Sequence, residues 1–495
     1  MYRPMARRPF ISLLAVAVSL AACSVGPDYR PRSAAELGVP DRYSVPADQR
    51  AREDLTQWWR KFDDPQLASL VERAQAANLD VALAVTRLRQ ARESLVQARS
   101  SLFPSLAASA GYSRREPLRG ASTTVTLPDG TVTSFSQGGS SSFSLGADAS
   151  YQLDLFGGVR RGVESARAGY EAAGYDYASV LISIEAETAR NYVLARAAQA
   201  QIANARAALA LQNDNLQIAQ WRVQAGLVST LDQEQARAQR AQTAATIPTL
   251  EANYNGFVSR LGVLTGQAPG ALKAELEAAK PIPVGPQGVA TGIPADALRQ
   301  RPDIRGAERN LASATAQIGV AQAQLYPSLA IGGSIDAGSA ALTSLLDVLT
   351  GRLFANVAQT IFDAGRTRSQ VRSAQAAADS AFLTYKQTVL TSLEDIENAA
   401  VALQSARQRD ASFREALDAA NNQAILARVQ YRSGLTDFTT LNQAENQLLS
   451  AQNGLTQARS DQSTALIQLY LALGGGWDSG TIPQAPTTGS TANGN

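Results

Sequence analysis

Few residues in this sequence could carry out chemistry, and those that could are not clustered. Histidine is absent, which removes the usual general base and metal ligand. Glu, Tyr and Lys can transfer protons, but no motif brings them together. The run GQAPGALK at 266–273 lacks the Gly-Lys-Ser/Thr spacing of a phosphate-binding loop. We therefore predict no catalytic residue, no metal site and no enzymatic activity.

Acylation of Cys23, the only cysteine, is the one covalent reaction that the sequence predicts. Three arginines precede an apolar run, 10–22, that is too short to span a bilayer as a helix. The run ends in LAACS (20–24), which resembles the bacterial lipobox and implies a signal peptide at 1–22. Cys23 would then carry covalent diacylglycerol and an N-acyl lipid such as palmitate. The alternative is an ordinary secretory signal with an incidental cysteine.

The composition favours long, thin helical packing over compact globular cores. The 495 residues are 45% hydrophobic but only 18% charged and 6% aromatic, with abundant alanine. The formal net charge of +2 gives no reason to expect a nucleic-acid partner.

The chain repeats itself, and the repeat predicts the architecture. LFPSLAASA (102–110) matches LYPSLAIGG (325–333), and AGLVSTLDQEQA (225–236) matches SGLTDFTTLNQA (433–444). Gly226 and Gly434 are 208 residues apart, and the same offset holds between GVESARA (162–168) and QVRSAQA (370–376), which indicates helices without gaps. Each half is predicted to run helix, strand, loop, strand, long helix.

We predict the following segments. A signal peptide (1–22) precedes an acylated N-terminal segment (23–62), a first repeat (63–266) with a β-hairpin at 105–155, a connector (267–293), a second repeat (294–473) with a β-hairpin at 327–362, and a disordered tail (474–495). The helix expected from 157 to 225 would be about 100 Å long. Its heptad residues predict a coiled-coil seam made by Val163, Tyr170, Tyr177 and Ile184.

The predicted strands have two unlike faces. In FSLGADASYQL (143–153), apolar or aromatic side chains alternate with Ser, Gly, Asp and Gln, which is a period of two. Three of the four strands follow this pattern. The fourth, near 352–362, is less regular because Arg352, Phe354, Asn356 and Phe362 would share one face.

A membrane barrel explains such strands. About ten residues suit a tilted bilayer crossing, but four strands cannot close a barrel, so several chains must share one. Lipid would contact the apolar face and channel water the polar face. A soluble protein with half-buried hairpins is the alternative. The loop at 124–133 predicts a small hairpin of its own, and four aromatic residues would lie near the strand ends: Tyr112, Tyr151, Phe156 and Tyr326.

Several runs resemble the outer-membrane factor family of tripartite efflux pumps, the TolC-like channels, in its lipoprotein branch. The resemblance covers nearly the whole mature chain, and its most specific run is GIPADALRQRPDIRGAERNLASATAQIGVAQAQLYPSL (292–329), supported by CSVGPDYRP (23–31) and WWRKFDDPQLASLVERAQAANLD (58–80). It implies an α+β membrane protein in the outer membrane. Three subunits would form a twelve-stranded β-barrel that continues as an α-helical coiled-coil barrel across the periplasm. The implied partners are a periplasmic adaptor and an inner-membrane transporter, often of the resistance-nodulation-division type.

The resemblance also assigns residues to the periplasmic tip. Gly226 and Gly434 match the turns between paired helices, and Asp232 and Tyr431 match a hydrogen-bonded latch that restrains the closed state. The alternative is that Asp232 is a solvent-exposed or capping residue at a helix end, and that Tyr431 serves only in packing. TolC-like tips often carry an Arg and two acids where this chain has Thr436, Thr440 and Gln443, which puts an acidic constriction in doubt. Asp437 is a further candidate for charge there.

These features predict a passive export duct for drugs or other small molecules, gated at its tip by the partner proteins. Two alternatives stay open on the sequence. One is an outer-membrane duct for secreted polypeptides of a type I system, which would share the fold. The other is a non-conducting coiled-coil lipoprotein that spans the periplasm as a structural element.

Overall fold

The computed structural model describes residues 24–45, 54–119, 122–136, 139–286, 288, 294–478, 480 and 483. The predicted signal peptide, Cys23 and most of the predicted tail lie outside these residues. The start of that tail, 474–477, is described and buried, and the amide of Gly476 donates to the Leu55 carbonyl at 2.9 Å, so the prediction of disorder is wrong for these four residues. The described chain forms two units. The first contains residues 24–30, Arg92–Gly169 and Leu311–Ala381, and the second contains Pro31–Ala91, Tyr170–Asn310 and the chain from Phe382 onward.

The first unit contains all six strands of the described chain. They are β1 (Ser105–Arg115), β2 (Ser122–Thr126), β3 (Val132–Ser136), β4 (Ser140–Leu153), β5 (Ser328–Ser339) and β6 (Leu349–Ala358). Four form one antiparallel sheet in the order β1-β4-β5-β6, so each predicted hairpin supplies two neighbours. β2 and β3 form the predicted separate hairpin around the turn at Gly130, whose φ of +83° suits glycine.

Most of the remaining chain is helical. The helices are α1 (Ala34–Leu37), α2 (Pro65–Ala77), α3 (Leu79–Ser100), α4 (Gly158–Gln224), α5 (Thr230–Leu264), α6 (Lys273–Leu276), α7 (Pro294–Leu298), α8 (Pro302–Ala323), α9 (Arg366–Arg432) and α10 (Phe438–Ala472). The helices α4 and α9 are both 67 residues long, and α5 and α10 are both 35. The equal lengths are what the constant offset of the repeat predicts.

The predicted seam of α4 is only partly correct. Ile184 is buried, but Val163, Tyr170 and Tyr177 are half-buried. A second heptad series is buried throughout and comprises Ala168, Tyr175, Ile182, Ala189 and Arg196. The helix therefore carries two neighbouring seven-residue stripes, and the sequence pattern pointed to the less buried one.

The core of the second unit combines aromatic stacking with buried polar contacts. The Trp58 ring stacks on Tyr470 with ring centroids 5.4 Å apart, and both side chains are almost fully buried. Arg196 is 1% exposed, and its guanidinium donates to the carbonyl of Ala278 at 2.8 Å. This bond attaches α4 to the predicted connector and satisfies a charge that would otherwise be costly to bury.

Candidate functional site: the sheet faces and the helix tips

One face of the four-stranded sheet is apolar across its central rows. Ala108 lies opposite Ala147, Ala147 opposite Ile335, and Ile335 opposite Gly351. Because side chains alternate between faces, this register places the even-numbered residues of β1 and the odd-numbered residues of the other three strands on one face. The large members of this apolar face are Leu106, Tyr112, Phe143, Leu145, Tyr151, Leu153, Leu329, Ile331, Ile335, Leu349, Leu353 and Val357.

The fourth strand follows the same alternation, which corrects its sequence-based interpretation. β6 ends at Ala358, so Phe362 lies beyond it and does not share a face with Arg352. Phe354 lies on the polar face and covers Gly332, where an added Cβ would be 2.5 Å from the Phe354 ring. The opposite face of β6 contains only Leu349, Gly351, Leu353, Ala355 and Val357. The strand looked irregular because one aromatic side chain fills the space above a glycine.

The other face of the sheet is polar. Its members include Ser109 of β1, Asp148 of β4 and Asp336 of β5, which accepts a hydrogen bond from Ser334 at 2.8 Å. Small Ser and Gly side chains occupy most of the remaining positions. The two faces therefore suit two different solvents, one apolar and one aqueous.

Two aromatic pairs lie at opposite ends of the sheet. Tyr112 lies 4.9 Å from Phe143, where β1 ends and β4 begins. Phe156 stacks on Tyr326 at 4.7 Å, just after β4 and just before β5. Tyr151 lies near the same end of β4. The predicted aromatic positions thus fall where membrane interfaces favour such rings.

The helix tips of the second unit are two matched turns. Gly226 and Gly434 have φ values of +68° and +73°, a conformation in which glycine avoids the steric cost of a side chain. The amide of Leu227 donates to the Arg222 carbonyl, and that of Leu435 to the Gln430 carbonyl, both at 2.9 Å. Each turn thus satisfies a carbonyl at a helix end.

Matched caps begin the returning helices. Ser229 accepts a hydrogen bond from the amide of Leu231 at 2.9 Å, and Asp437 accepts one from the amide of Thr440 at 2.8 Å. The bond from Thr440 lowers the pKa of the Asp437 carboxyl. Asp437 therefore has a structural role as the cap of α10.

The predicted constriction residues lie on both sides of the start of α10. Thr436 is half-buried, whereas Thr440 and Gln443 are exposed on one side of the helix. Neither exposed residue is charged. A ring built from copies of these side chains would act through size and hydration, because it presents no charge of its own.

The structure does not form the predicted hydrogen bond between Asp232 and Tyr431. Tyr431 is fully buried, and its hydroxyl has no hydrogen-bond partner among the described residues. The guanidinium of Arg222 instead lies 4.7 Å from the centre of the Tyr431 ring and donates to the Tyr431 carbonyl at 3.3 Å. Burial raises the pKa of the Tyr431 phenol, and Arg222 lowers it in part. The tyrosine is thus held by packing and by a cation–π contact.

A buried network that the sequence analysis missed connects three helices near this tip. Both oxygens of Glu445 in α10 are used: Arg428 of α9 donates at 3.0 Å, and Asn215 of α4 donates at 2.7 Å. The Glu445 side chain is only 7% exposed. The sequence did contain a signal for this network, because the acidic Glu445 lies among the regularly spaced apolar residues Leu441, Ala444 and Leu448.

Substitution of Gly434 by alanine is expected to destabilise its turn by about 1 kcal/mol, because a Cβ is disfavoured at positive φ. Faster amide exchange between 425 and 445 would report this loss. Gly256→Ala is the matched control. Gly256 lies in α5 with open space around it, so alanine should leave tip exchange unchanged and favour the helix. Equal exchange in Gly434→Ala and the parent would contradict the expectation.

Within the described residues, no group of acidic or cysteine side chains could hold a metal ion. None of the helices in that part of the chain is long and apolar enough to cross a membrane.

Comparison with known proteins identifies the family. The family model described as "Outer membrane efflux protein" matches residues 70–267 and 293–475. Nodulation protein T of Rhizobium leguminosarum bv. trifolii is 32% identical over 480 residues, which cover 95% of this chain and 97% of that protein. The pyoverdine export outer membrane protein OpmQ of Pseudomonas aeruginosa is 30% identical over 473 residues, with 95% and 97% covered.

A solved structure supports the same relationship. The outer-membrane channel OprN has 32% identity and a TM-score of 0.81 over 92% of this chain and 100% of its own. The predicted α+β channel fold, with long helices and a small sheet, is confirmed. The chain therefore belongs to the outer membrane efflux protein family and is a channel protein of the outer membrane, not an enzyme.

Proposed function

We propose that three copies of this chain close a twelve-stranded barrel, four strands from each. The observation that carries this proposal is the pair of open edges on the sheet. β1 and β6 are the outer strands, and every residue of both is exposed. Unpaired backbone groups are not tolerated in lipid, and the smallest membrane barrels have about eight strands. Joining β1 of one subunit to β6 of the next satisfies both edges.

Cross-linking across the two edges tests this assembly. Ala108→Cys in β1 is combined with Leu353→Cys or Ala355→Cys in β6, and a bismaleimide is added to the purified protein. We expect covalent trimers from a double variant, because the ring closes on itself, and no trimers from any single variant. A double variant that stays monomeric at every tested pair would overturn the proposal.

Lipid should contact the apolar face and water the polar face. Leu353→Arg is therefore expected to reduce membrane insertion, because a lipid-facing arginine costs about 2–4 kcal/mol near the bilayer midplane. Asn356→Arg, on the opposite face of the same strand, is the matched control and should insert normally. The measurement is the fraction of folded trimer recovered in outer membranes. Equal loss in both variants would argue against this assignment of the faces.

We further propose that Cys23 carries diacylglycerol and an N-acyl lipid, so that the chain is anchored as well as inserted. Its lipobox-like setting supports this. One acyl chain binds a membrane only weakly, whereas several chains combined with the barrel give stable attachment. Intact mass of the mature protein measures the modification, and Cys23→Ser should remove it.

The proposed cargo is small molecules, which would pass passively from an inner-membrane transporter, of the resistance-nodulation-division type, through a periplasmic adaptor into the duct. Two similarities support this choice. OpmQ is named for pyoverdine export, and the 28% identical TtgF of Pseudomonas putida for toluene efflux. A polypeptide duct remains the second candidate on fold alone.

We propose that the tip is the gate and that the partner proteins open it. Gated conductance in planar bilayers separates this duct from a non-conducting coiled-coil lipoprotein. Trimers should conduct weakly at rest and more strongly once tip contacts are removed, whereas a structural lipoprotein should not conduct in either state.

A further inference from the structure

A buried arginine holds the start of the described chain in the first unit. The amide of Val25 donates to the Phe156 carbonyl at 3.1 Å, which fixes the segment 24–28 beside the beginning of α4. Terminal segments are ordinarily poorly ordered unless specific contacts hold them. The contacts of this segment therefore call for a physical explanation.

Arg161 in α4 supplies most of these contacts, and its side chain is only 7% exposed. Its guanidinium donates to the carbonyls of Val25 and Gly26, both at 3.3 Å, and to the Asp28 carboxylate at 2.6 Å. A further bond, to Glu164 at 2.7 Å, orients it from within α4. In two of these bonds the acceptor is a backbone carbonyl, so they depend on the backbone path of the segment and not only on its side chains.

Glycines shape the space that receives the segment. An added Cβ on Gly26, whose φ is +100°, would be 2.5 Å from the Gly319 Cα. A Cβ on Gly319 of α8 would be 2.8 Å from both the Val25 carbonyl and the Arg161 side chain. A Cβ on Gly157 would be 2.6 Å from the Ser24 hydroxyl. We call Gly157, Arg161 and Gly319 the N-terminal slot.

We propose that the N-terminal slot binds the mature N-terminus and thereby fixes where the lipid of Cys23 enters the membrane. The inference rests on the proposed acylation. Cys23 is bonded to Ser24, so a bound Ser24 limits how far the acyl chains can lie from the slot. Gly157 follows the end of β4 by four residues, next to the Phe156–Tyr326 pair. The anchor is thus held at one end of the sheet and does not act as a loose tether. Arg161 is a positioning residue for it.

A spin label in the segment tests this proposal on the full-length protein in detergent. Cys23 is the only native cysteine, so a chain acylated there has no free thiol. Pro27 is exposed, and the variant Pro27→Cys would therefore carry a single nitroxide at that position. In the parent we expect slow label motion. Arg161→Ala and, separately, Gly319→Ala should release the segment and shorten the rotational correlation time roughly threefold or more.

Matched controls separate release from misfolding. Gly162→Ala adds the same methyl one residue from Arg161, where open space surrounds the glycine, and Arg99→Ala removes an exposed arginine. Both should leave the label slow. In separate samples that keep Pro27, a single label on the sheet, at Ala147→Cys, should keep its parent spectrum in every variant, which shows that a mobile label at position 27 does not come from an unfolded sheet.

The outcomes are distinct. A label that stays slow in Arg161→Ala and Gly319→Ala, or that is mobile in the parent, overturns the slot. The number of nitroxides per chain reports acylation independently, because an unmodified Cys23 would raise it from one to two. Two labels per chain with slot-dependent motion would contradict acylation while retaining the slot.

Discussion

Replacement of Glu445 by alanine is expected to destabilise the tip by about 3 kcal/mol and to raise the conductance of trimers in planar bilayers. The substitution leaves the partly buried guanidinium of Arg428 without its carboxylate and removes the acceptor of Asn215. Breaking a buried pair from one side costs about 3–5 kcal/mol, and Arg428 is 24% exposed, which favours the lower end. Because Glu445 connects α4, α9 and α10, its loss frees the helix pairs to separate.

Two control variants separate the effect of the Glu445 network from that of removing any charged or polar group near the tip. Glu234→Ala removes an acid that is 51% exposed and pairs with Arg237 on the same helix, so stability should change by about 0.5 kcal/mol or less. Tyr431→Phe removes a hydroxyl that has no hydrogen-bond partner among the described residues, and it should leave the conductance unchanged. A latch between Asp232 and Tyr431 requires the opposite result for this second variant.

A compensating pair tests whether charge itself matters at this site. The double variant Glu445→Leu/Arg428→Met replaces the ion pair with apolar groups of similar size, an exchange that is often neutral for stability. If it restores stability but the channel stays open, the network acts through its specific bonds. If it restores both, packing alone closes the tip. Parent-like conductance in Glu445→Ala would contradict the role of the network altogether.

The internal repeat made the helix lengths predictable, but it also limited which contacts near the tip could be predicted from the sequence. A gap-free offset predicts equal helices, and the lengths of α4 and α9 agree. Features that belong to one repeat only are not visible in this way. Glu445 corresponds by the same offset to Arg237, an exposed residue, so the comparison of halves gave no reason to expect a buried acid.

The strands were predictable from alternation, except where a side chain crosses over a glycine. Phe354 made β6 look irregular, yet its ring occupies the space above Gly332 on the neighbouring strand. Such a contact depends on register, which one strand alone does not specify. The same limit applies to the N-terminal slot, since Arg161 and Gly319 are far apart in sequence and no local pattern joins them.

A buried acid in the second unit, Glu185, is expected to make the stability of the protein depend strongly on pH. Glu185 of α4 is fully buried, and one of its oxygens accepts from Gln75 at 2.6 Å. Its other oxygen has no hydrogen-bond partner among the described residues and lies against the backbone of Gly476, where any Cβ would collide with it. Burial raises the pKa of Glu185 well above its usual value, although Gln75 and Trp58 lower it in part.

The sign of the resulting pH dependence follows from linkage. The pKa of Glu185 is higher in the folded chain, so the folded state binds the proton more tightly than the unfolded state does. The resulting contribution to the free energy of unfolding is fully present below the unfolded pKa of about 4.5. As the pH rises from there towards the folded pKa, the stability of the parent should fall by about 1.4 kcal/mol for each pH unit. Glu185→Gln keeps the shape and the neutral state, so it should lack this slope.

The measurement compares unfolding midpoints of purified protein between pH 4.5 and 8. Intrinsic tryptophan fluorescence is a suitable probe, because three of the four tryptophans, Trp58, Trp59 and Trp477, are buried in the second unit. The unfolding midpoint of Glu185→Gln should rise progressively relative to that of the parent as the pH rises. Glu187→Gln, two residues along α4 at a site that is 37% exposed and paired with Arg260, should follow the parent curve. Parallel curves for the parent and Glu185→Gln would mean that the carboxyl is ionised in the folded chain, and that the contact with Gly476 does not exclude water.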